Sequence, residues 1–430
     1  METEAISAAA AAAEAPGDLP RGCGPLRPNG AAAGESATPL RLALFEQVRA
    51  SGAVPRVELA RLLGVSPASV TAATTDLITA GYLHEIAAPR DPDTGRGRPP
   101  VALAVRAQAG FVAGVKISAA AHTAVIHDFA GNPLSEITQR DVPMSLSPAD
   151  IVAQVARLLD LAVAKAGLSH SDIRAVGVGL PGYIDSDLGC VLWSPLMTGA
   201  NAPLRDMVRD KTGCSVVIDN DANLVTLAEL WFGDGRGVSN FAVVTIEHGV
   251  GMGLVLNNRL YRGARGLGTE LGHTKVQLDG ALCRCGQRGC LEAYVADYAL
   301  VREASTALNW QPGSVPQGQM LESLYKDAKA GNRAARSIFR RAGRYLAVGI
   351  GNIINLFDPE LILLSGDRMR YDYLYADEVL AELANVTIQV DRPAPRVEIH
   401  AWGDMIWARG AAALALSHIT AEVLGRGAPQ

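Results

Sequence analysis

"GTELGHTKVQLDGALCRCGQRGCLEA", residues 268–293, contains three of the chain's six cysteines. Together with His273 they give the spacing H-x9-C-x-C-x4-C. Three thiolates and one imidazole fill a tetrahedral Zn²⁺ shell and leave no open position. The stretch therefore predicts a structural zinc site made by His273, Cys283, Cys285 and Cys290. Gly286 and Gly289 supply the tight loop needed to bring the thiols to one point. The remaining cysteines, Cys23, Cys190 and Cys214, are scattered. In a chain of intracellular character a tight cysteine cluster points to metal rather than to disulfides.

Outward from this loop the texture is α/β. "GFVAGVKISAAAHTAVIHDFAGNPL" (110–134) reads as a strand, a turn and a second strand. "DIVAQVARLLDLAVAKAG" (150–167) is an amphipathic helix. "IRAVGVGLPGYID" (173–185) is a buried strand ending in a Gly-Pro loop, and "CSVVIDNDANLVTLAEL" (214–230) is a strand, a polar tip and a helix. The scheme repeats with "FAVVTIEHGVGMGLVL" (241–256), a helical stretch from about Asn332 to Asn355, and "ELILLSG" (360–366). Two halves of this kind predict two lobes with a cleft between them.

Upstream, residues 1–38 are rich in Ala, Gly and Pro without periodicity and are expected to be disordered. From Pro39 the pattern is helical. Leu40, Leu44, Phe45 and Val48 share one stripe, and a second short helix ends at Gly64. A third helix opens with Ser66 as N-cap and Pro67 at its first position. A strand near Tyr82–Ile86, a polar loop and a strand from Val101 complete residues 39–106. This order resembles a winged helix-turn-helix DNA-binding domain with a two-stranded wing. The third helix carries no Lys or Arg, so base contacts would fall to Ser66, Ser69, Thr71 and Thr74, with Arg56 nearby. The wing tip, "DTGRGRPP" (93–100), holds Arg96 and Arg98 around one glycine and resembles an AT-hook core suited to a narrow minor groove.

Composition limits the alternatives. A 49% hydrophobic content allows a large core, and no apolar run reaches bilayer-spanning length. The start, "METEAISAAAAAAEAPGD", lacks the basic region of a signal peptide, which predicts a cytoplasmic protein. The net charge of -5 excludes a global basic field, so DNA must be met locally. Residues 39–109 carry eight arginines against six acids, which suits binding as a dimer.

The zinc-loop stretch, "GLPG" (179–182), "DNDAN" (219–223) and "HGVGMG" (248–253) occur in the order found in the ROK family (repressors, open reading frames and sugar kinases). The resemblance covers residues 39–430. It implies an actin-like sugar kinase fold over 107–430 behind the winged domain, with zinc in the 273–290 loop. It also implies a sugar site made by Asn220, Asp221, Glu270, His273 and Glu292, in which His273 serves sugar and zinc together. In kinases of this family the residue matching Asp221 is the base that deprotonates the sugar hydroxyl. The family's Asp-x-Gly-Gly-Thr phosphate turn is matched here by "KISAA", with Lys116 in place of Asp. Its Gly-Thr-Gly loop is matched by Glu247, His248 and Gly249, and its adenosine-side glycines by "SGD" (365–367). A kinase cannot dispense with ATP, whereas a sensor can. The expected function is a sugar-responsive, DNA-binding repressor without enzymatic activity, acting as a homodimer or homotetramer. A sugar kinase with an appended DNA-binding domain is the alternative.

Overall fold

The computed structural model describes residues 21–26, 38–87, 101–308, 316–366, 381–388, 393–400 and 403–425. The N-terminal unit consists of α1 (Leu40–Ser51), β1 (Ala53–Pro55), α2 (Arg56–Leu63), α3 (Pro67–Thr79), β2 (Leu83–Ala87) and β3 (Val101–Val105). Ser66 caps α3 by accepting from the Ser69 amide at 3.1 Å, with Pro67 in the first turn. Leu44, Phe45, Leu59, Val70, Leu77 and Leu103 are completely buried and hold the helices on the sheet. That sheet has three antiparallel strands in the order β1-β3-β2, not two as the sequence suggested. The added strand is only Ala53–Pro55, too short for a period-2 pattern to register. The loop bearing Arg96 and Arg98 lies outside the described residues.

The large domain begins with β4 (Phe111–Lys116), β5 (His122–Asp128), β6 (Pro133–Gln139), α4 (Pro148–Ala166) and β7 (Ile173–Leu180). A small hairpin follows, β8 (Tyr183–Asp185) and β9 (Cys190–Trp193), then α5 (Leu204–Thr212), β10 (Ser215–Asn220) and α6 (Asp221–Phe232). The second half contains β11 (Phe241–Ile246), β12 (Val250–Leu256), β13 (Arg259–Tyr261), α7 (Glu292–Val295), α8 (Asp297–Ala307), α9 (Gln317–Lys329) and α10 (Arg333–Phe357). It closes with β14 (Leu361–Ser365), α11 (Leu383–Val386), β15 (Arg396–His400) and α12 (Ile406–Leu424).

The two halves repeat one topology. The first sheet runs β10-β7-β4-β5-β6 and the second β13-β12-β11-β14-β15. In each, the first three strands form an antiparallel meander, and two further strands add in parallel beside the first. Central strands such as β14 are buried throughout, as parallel strands covered on both faces must be. Helix α12 lies directly on the first sheet. A Cβ added at Gly114 or Gly177 would meet the Ala408 or Ala411 carbonyl at 2.0 Å. The same helix packs on α6 and reaches α1. Among the described residues no helix is long and apolar enough to cross a membrane.

The disorder expected across residues 1–38 does not extend to 21–26, which pack between the two units. The Cys23 amide donates to the Arg49 carbonyl at 3.0 Å and its thiol to the Ala130 carbonyl at 3.0 Å. The Gly24 amide donates to the Trp231 carbonyl at 2.9 Å. Arg236 closes the seam, donating to the Gly24 carbonyl at 3.1 Å and the Ala50 carbonyl at 2.6 Å. A backbone whose polar groups all find partners can be buried whatever its composition. Arg49, 3% exposed, donates to Thr420 Oγ1 at 2.8 Å, and its guanidinium lies 4.5 Å from the Trp231 ring centre. The Phe129 ring packs at a tilt against those of Phe45 and Tyr82 across the same seam, with centroids 5.4 and 5.9 Å away.

Candidate functional site

The His/Cys loop is held by short-range bonds. The Cys283 amide donates to the Gln287 carbonyl at 2.8 Å, and the Gly286 amide donates back to the Cys283 carbonyl at 3.0 Å. Gly286 and Gly289 have φ of 85° and 77°, a region that favours glycine. The turn brings the four expected ligands together, with all ligand atoms within 4.8 Å of one another. Cys283 Sγ is 3.7 Å from His273 Nδ1, and Cys285 Sγ is 3.7 Å from Cys290 Sγ. The edge of a tetrahedron with Zn–S bonds of ~2.3 Å is about 3.8 Å, so the donor set fits Zn²⁺. Lys275 Nζ donates to Cys290 Sγ at 2.9 Å and offsets thiolate charge. The Tyr298 hydroxyl donates to Cys283 Sγ at 3.6 Å and to Glu292 Oε1 at 3.4 Å, which links the loop to the cleft.

The cleft is built where β10 turns into α6. Asn220 caps α6, its Oδ1 accepting from the Asn223 amide at 2.8 Å, which leaves its amide NH₂ as the free donor. Asp221 is the first residue of α6, where the helix dipole favours an anion. Glu270 precedes the 3₁₀ turn Leu271–His273 and lines a pocket of about 280 Å³ with His273, Tyr183, Leu267, Cys285 and Gln287. Burial, then the charge of Asp221, then that of Glu292, push the Glu270 carboxyl up to about 7. Glu292 opens α7, is 9% exposed and accepts from the Val250 amide at 3.4 Å. Glu270 thus stands within charge range of Asp221 from the first half and Glu292 from the second, with the His273 imidazole beside it in the pocket, a set of groups suited to hydroxyl partners.

Several participants were not foreseen. Tyr183 forms the pocket's aromatic wall and packs on Trp193 at 5.6 Å. Asp219, 1% exposed, accepts from Asn223 Nδ2 at 2.7 Å and from Arg262 at 2.8 Å, and so ties β10 to the segment after β13. Lys116, at the end of β4, places Nζ 3.6 Å from Asp221 Oδ2. The turn after it is closed by Ser118, whose Oγ donates to the Ala121 carbonyl at 2.6 Å. The "DND" motif and an aromatic beside the Gly-Pro loop were signals for Asp219 and Tyr183. The partner of Lys116 had none.

On the N-terminal unit, Ser66, Ser69 and Thr71 lie on the exposed face of α3. Thr74 does not: it is completely buried, donating to the Val70 carbonyl at 2.8 Å and accepting from Arg56 Nε at 3.1 Å. Arg56 also pairs with Glu85 at 2.7 Å. Its guanidinium therefore braces α2 against α3 and β2, with its side chain 27% exposed.

A model of the ROK family matches residues 112–418. A xylose repressor of Caldicellulosiruptor bescii is 25% identical over 378 residues, spanning 84% of this chain and 93% of that protein. A glucokinase of Streptomyces coelicolor is 33% identical over 267 residues, but spans only 60% of this chain and 82% of its own. A solved ROK family transcriptional regulator, described as a homologue of the E. coli Mlc protein, superposes with a TM-score of 0.74. That superposition is at 24% identity and covers 89% of this chain and 96% of the other, which speaks for the fold.

Proposed function

The chain belongs to the ROK family, and from that premise we propose that it is a sugar-responsive DNA-binding repressor of carbohydrate uptake or catabolism genes. The observation that carries this is coverage. The xylose repressor matches 84% of the chain, more than residues 107–430 alone can supply, whereas the glucokinase match covers 60%.

In this reading residues 39–106 bind an operator through Ser66, Ser69 and Thr71 on α3 and through Arg96 and Arg98 on the wing. Residues from 107 onward bind a monosaccharide or sugar derivative through Asn220, Asp221, Glu270, His273 and Glu292. Zn²⁺ held by His273, Cys283, Cys285 and Cys290 is structural, with no position open for a substrate. It fixes the loop that carries His273 and Glu292. Two features favour a sensor over a kinase: the ammonium of Lys116 beside Asp221, and a turn after β4 closed on itself by Ser118 rather than left open for phosphate.

The route from cleft to DNA is α6. Its first residue is Asp221, and Trp231 near its end carries the Arg49 guanidinium of α1. A sugar shifts the equilibrium only by its differential affinity for two arrangements of this joint. The chain acts as a homodimer or homotetramer on inverted repeats, and sugar releases it.

The test is a gel shift on the promoter upstream of its own gene, with and without xylose, glucose, mannose and N-acetylhexosamines, beside an ATP-consumption assay. Specific retardation relieved by one sugar, with no sugar-dependent ATP turnover, is the expected result. Catalytic phosphorylation of a hexose would instead favour the alternative suggested by the glucokinase relatives.

A further inference from the structure

Lys116 is 5% exposed, yet carries an ammonium into the base of the cleft. Burying such a charge is costly unless it is paired. Two groups compensate it. The Trp407 ring of α12 lies 4.8 Å from Nζ, and Asp221 Oδ2 lies 3.6 Å away. The ammonium thus stands where β4, α6 and α12 meet.

Asp221 needs such a neighbour. To accept from sugar hydroxyls it must be a carboxylate held in one orientation. Glu270 lies within charge range of it, on the cleft side. The dipole at the start of α6 favours an anion there but does not fix which way its oxygens point. An opposite charge at ion-pair distance does, and a cation fixed by the fold supplies it without recruiting one from solution.

We propose that Lys116 is a positioning residue of the sugar site. Its ammonium, seated between the Trp407 ring and Asp221, is a tethered counter-ion that keeps the Asp221 carboxylate turned toward effector hydroxyls. The inference rests on the sugar reading of the cleft. It adds that effector binding is indifferent to added divalent cations, because the cleft contains its own.

The experiment is calorimetry on the full chain, with D-xylose, D-glucose, D-mannose and N-acetyl-D-glucosamine as probes, with and without added Mg²⁺. The proteins are native, Lys116→Met, Lys116→Arg, Asp221→Asn and Lys116→Met/Asp221→Asn, each checked for folding by circular dichroism. Lys116→Met is expected to weaken the bound sugar about tenfold, and Lys116→Arg to restore most of it. The double variant should bind no worse than Asp221→Asn alone, because the lysine acts through that carboxylate. Mg²⁺ should change nothing in the native protein. Unchanged affinity of Lys116→Met overturns the inference, as does a loss that adds in full to that of Asp221→Asn, or a native affinity that needs Mg²⁺. If Lys116→Met does not fold, affinity in Lys116→Arg as low as in Asp221→Asn overturns it equally. If no sugar binds the native chain, the sugar reading itself fails. Melting of the sugar-free variants then tests the ion pair alone: non-additive shifts support it and additive shifts remove it.

Discussion

Replacing Arg49 by Met should uncouple the two ends of the molecule while leaving each working. The guanidinium donates to Thr420 Oγ1 and lies on the Trp231 face. A hydrogen bond from a charged donor contributes about 1.5–3 kcal/mol, and a desolvated cation–π contact about 2 kcal/mol. The gross loss is thus about 3.5–5 kcal/mol. Against it stands the burial of a cation, which itself lowers the Arg49 pKa and costs several kcal/mol. Thr420 is not orphaned, because its hydroxyl also donates to the Leu416 carbonyl at 2.6 Å. The two terms nearly cancel, so melting should move little. What disappears is the directional grip between α1 and α6. The coupling of sugar to DNA, about 1–3 kcal/mol or 5- to 150-fold in affinity, should fall to within about twofold. Sugar affinity should persist, since Asp221 lies about 15 Å along α6 from Trp231. Anisotropy of labelled operator DNA, with and without saturating effector, reads the coupling, and calorimetry reads the sugar. An Arg49→Met protein that keeps its full sugar-dependent shift would show that the signal does not pass through this joint.

Further outcomes are open to measurement. Purified protein should contain about one Zn²⁺ per chain, and Cys283→Ser or Cys290→Ser should lose metal and sugar response together. Elemental analysis finding no zinc in responsive protein excludes this. Changing Arg96 and Arg98 to Ala should weaken operator binding, most on A·T-rich sites, and lower the salt slope by about 2; an unchanged slope would make the motif an ordinary solvated tip. Burial depresses the His127 pKa to about 4, against a bond to the Gly131 carbonyl. The unfolded chain therefore binds the extra proton between about pH 6.5 and 4, and stability is lost as pH falls through that window at about 1.4 kcal/mol per unit. Between pH 7 and pH 5 the native protein should lose about 2 kcal/mol more than His127→Leu in urea titrations; equal losses would contradict the buried neutral imidazole.

What could be read from the sequence follows the range of the interactions. The gathering of His273, Cys283, Cys285 and Cys290 was legible because four such residues within one short segment have few ways to meet, and the capped, periodic helices were legible for the same local reason. β1 was missed because three residues carry no period. Thr74 was misplaced among the DNA-facing groups, although its spacing from Val70 and Leu77 puts it on the buried stripe. Lys116 against Asp221, Asp219 against Arg262, and Cys23 against Ala130 are meetings of distant segments, set by how the sheets and helices pack. Residues 21–26 defeat composition outright, since their order comes from carbonyl and amide partners on other elements.

The seam around Arg49 also has a consequence in time. Arg49 and Thr420 are 371 residues apart. At about 5–20 residues per second, synthesis separates them by roughly 20 to 75 s. During that interval α1–α3 can fold locally, yet α12 does not exist to receive them. A nascent chain thus presents its DNA-binding face before the part that answers to sugar can restrain it. Nonsense products ending before α12 should share this state for their lifetime: operator contacts retained, inducibility absent, and the apolar floor of the joint, Trp231 included, open to chaperones.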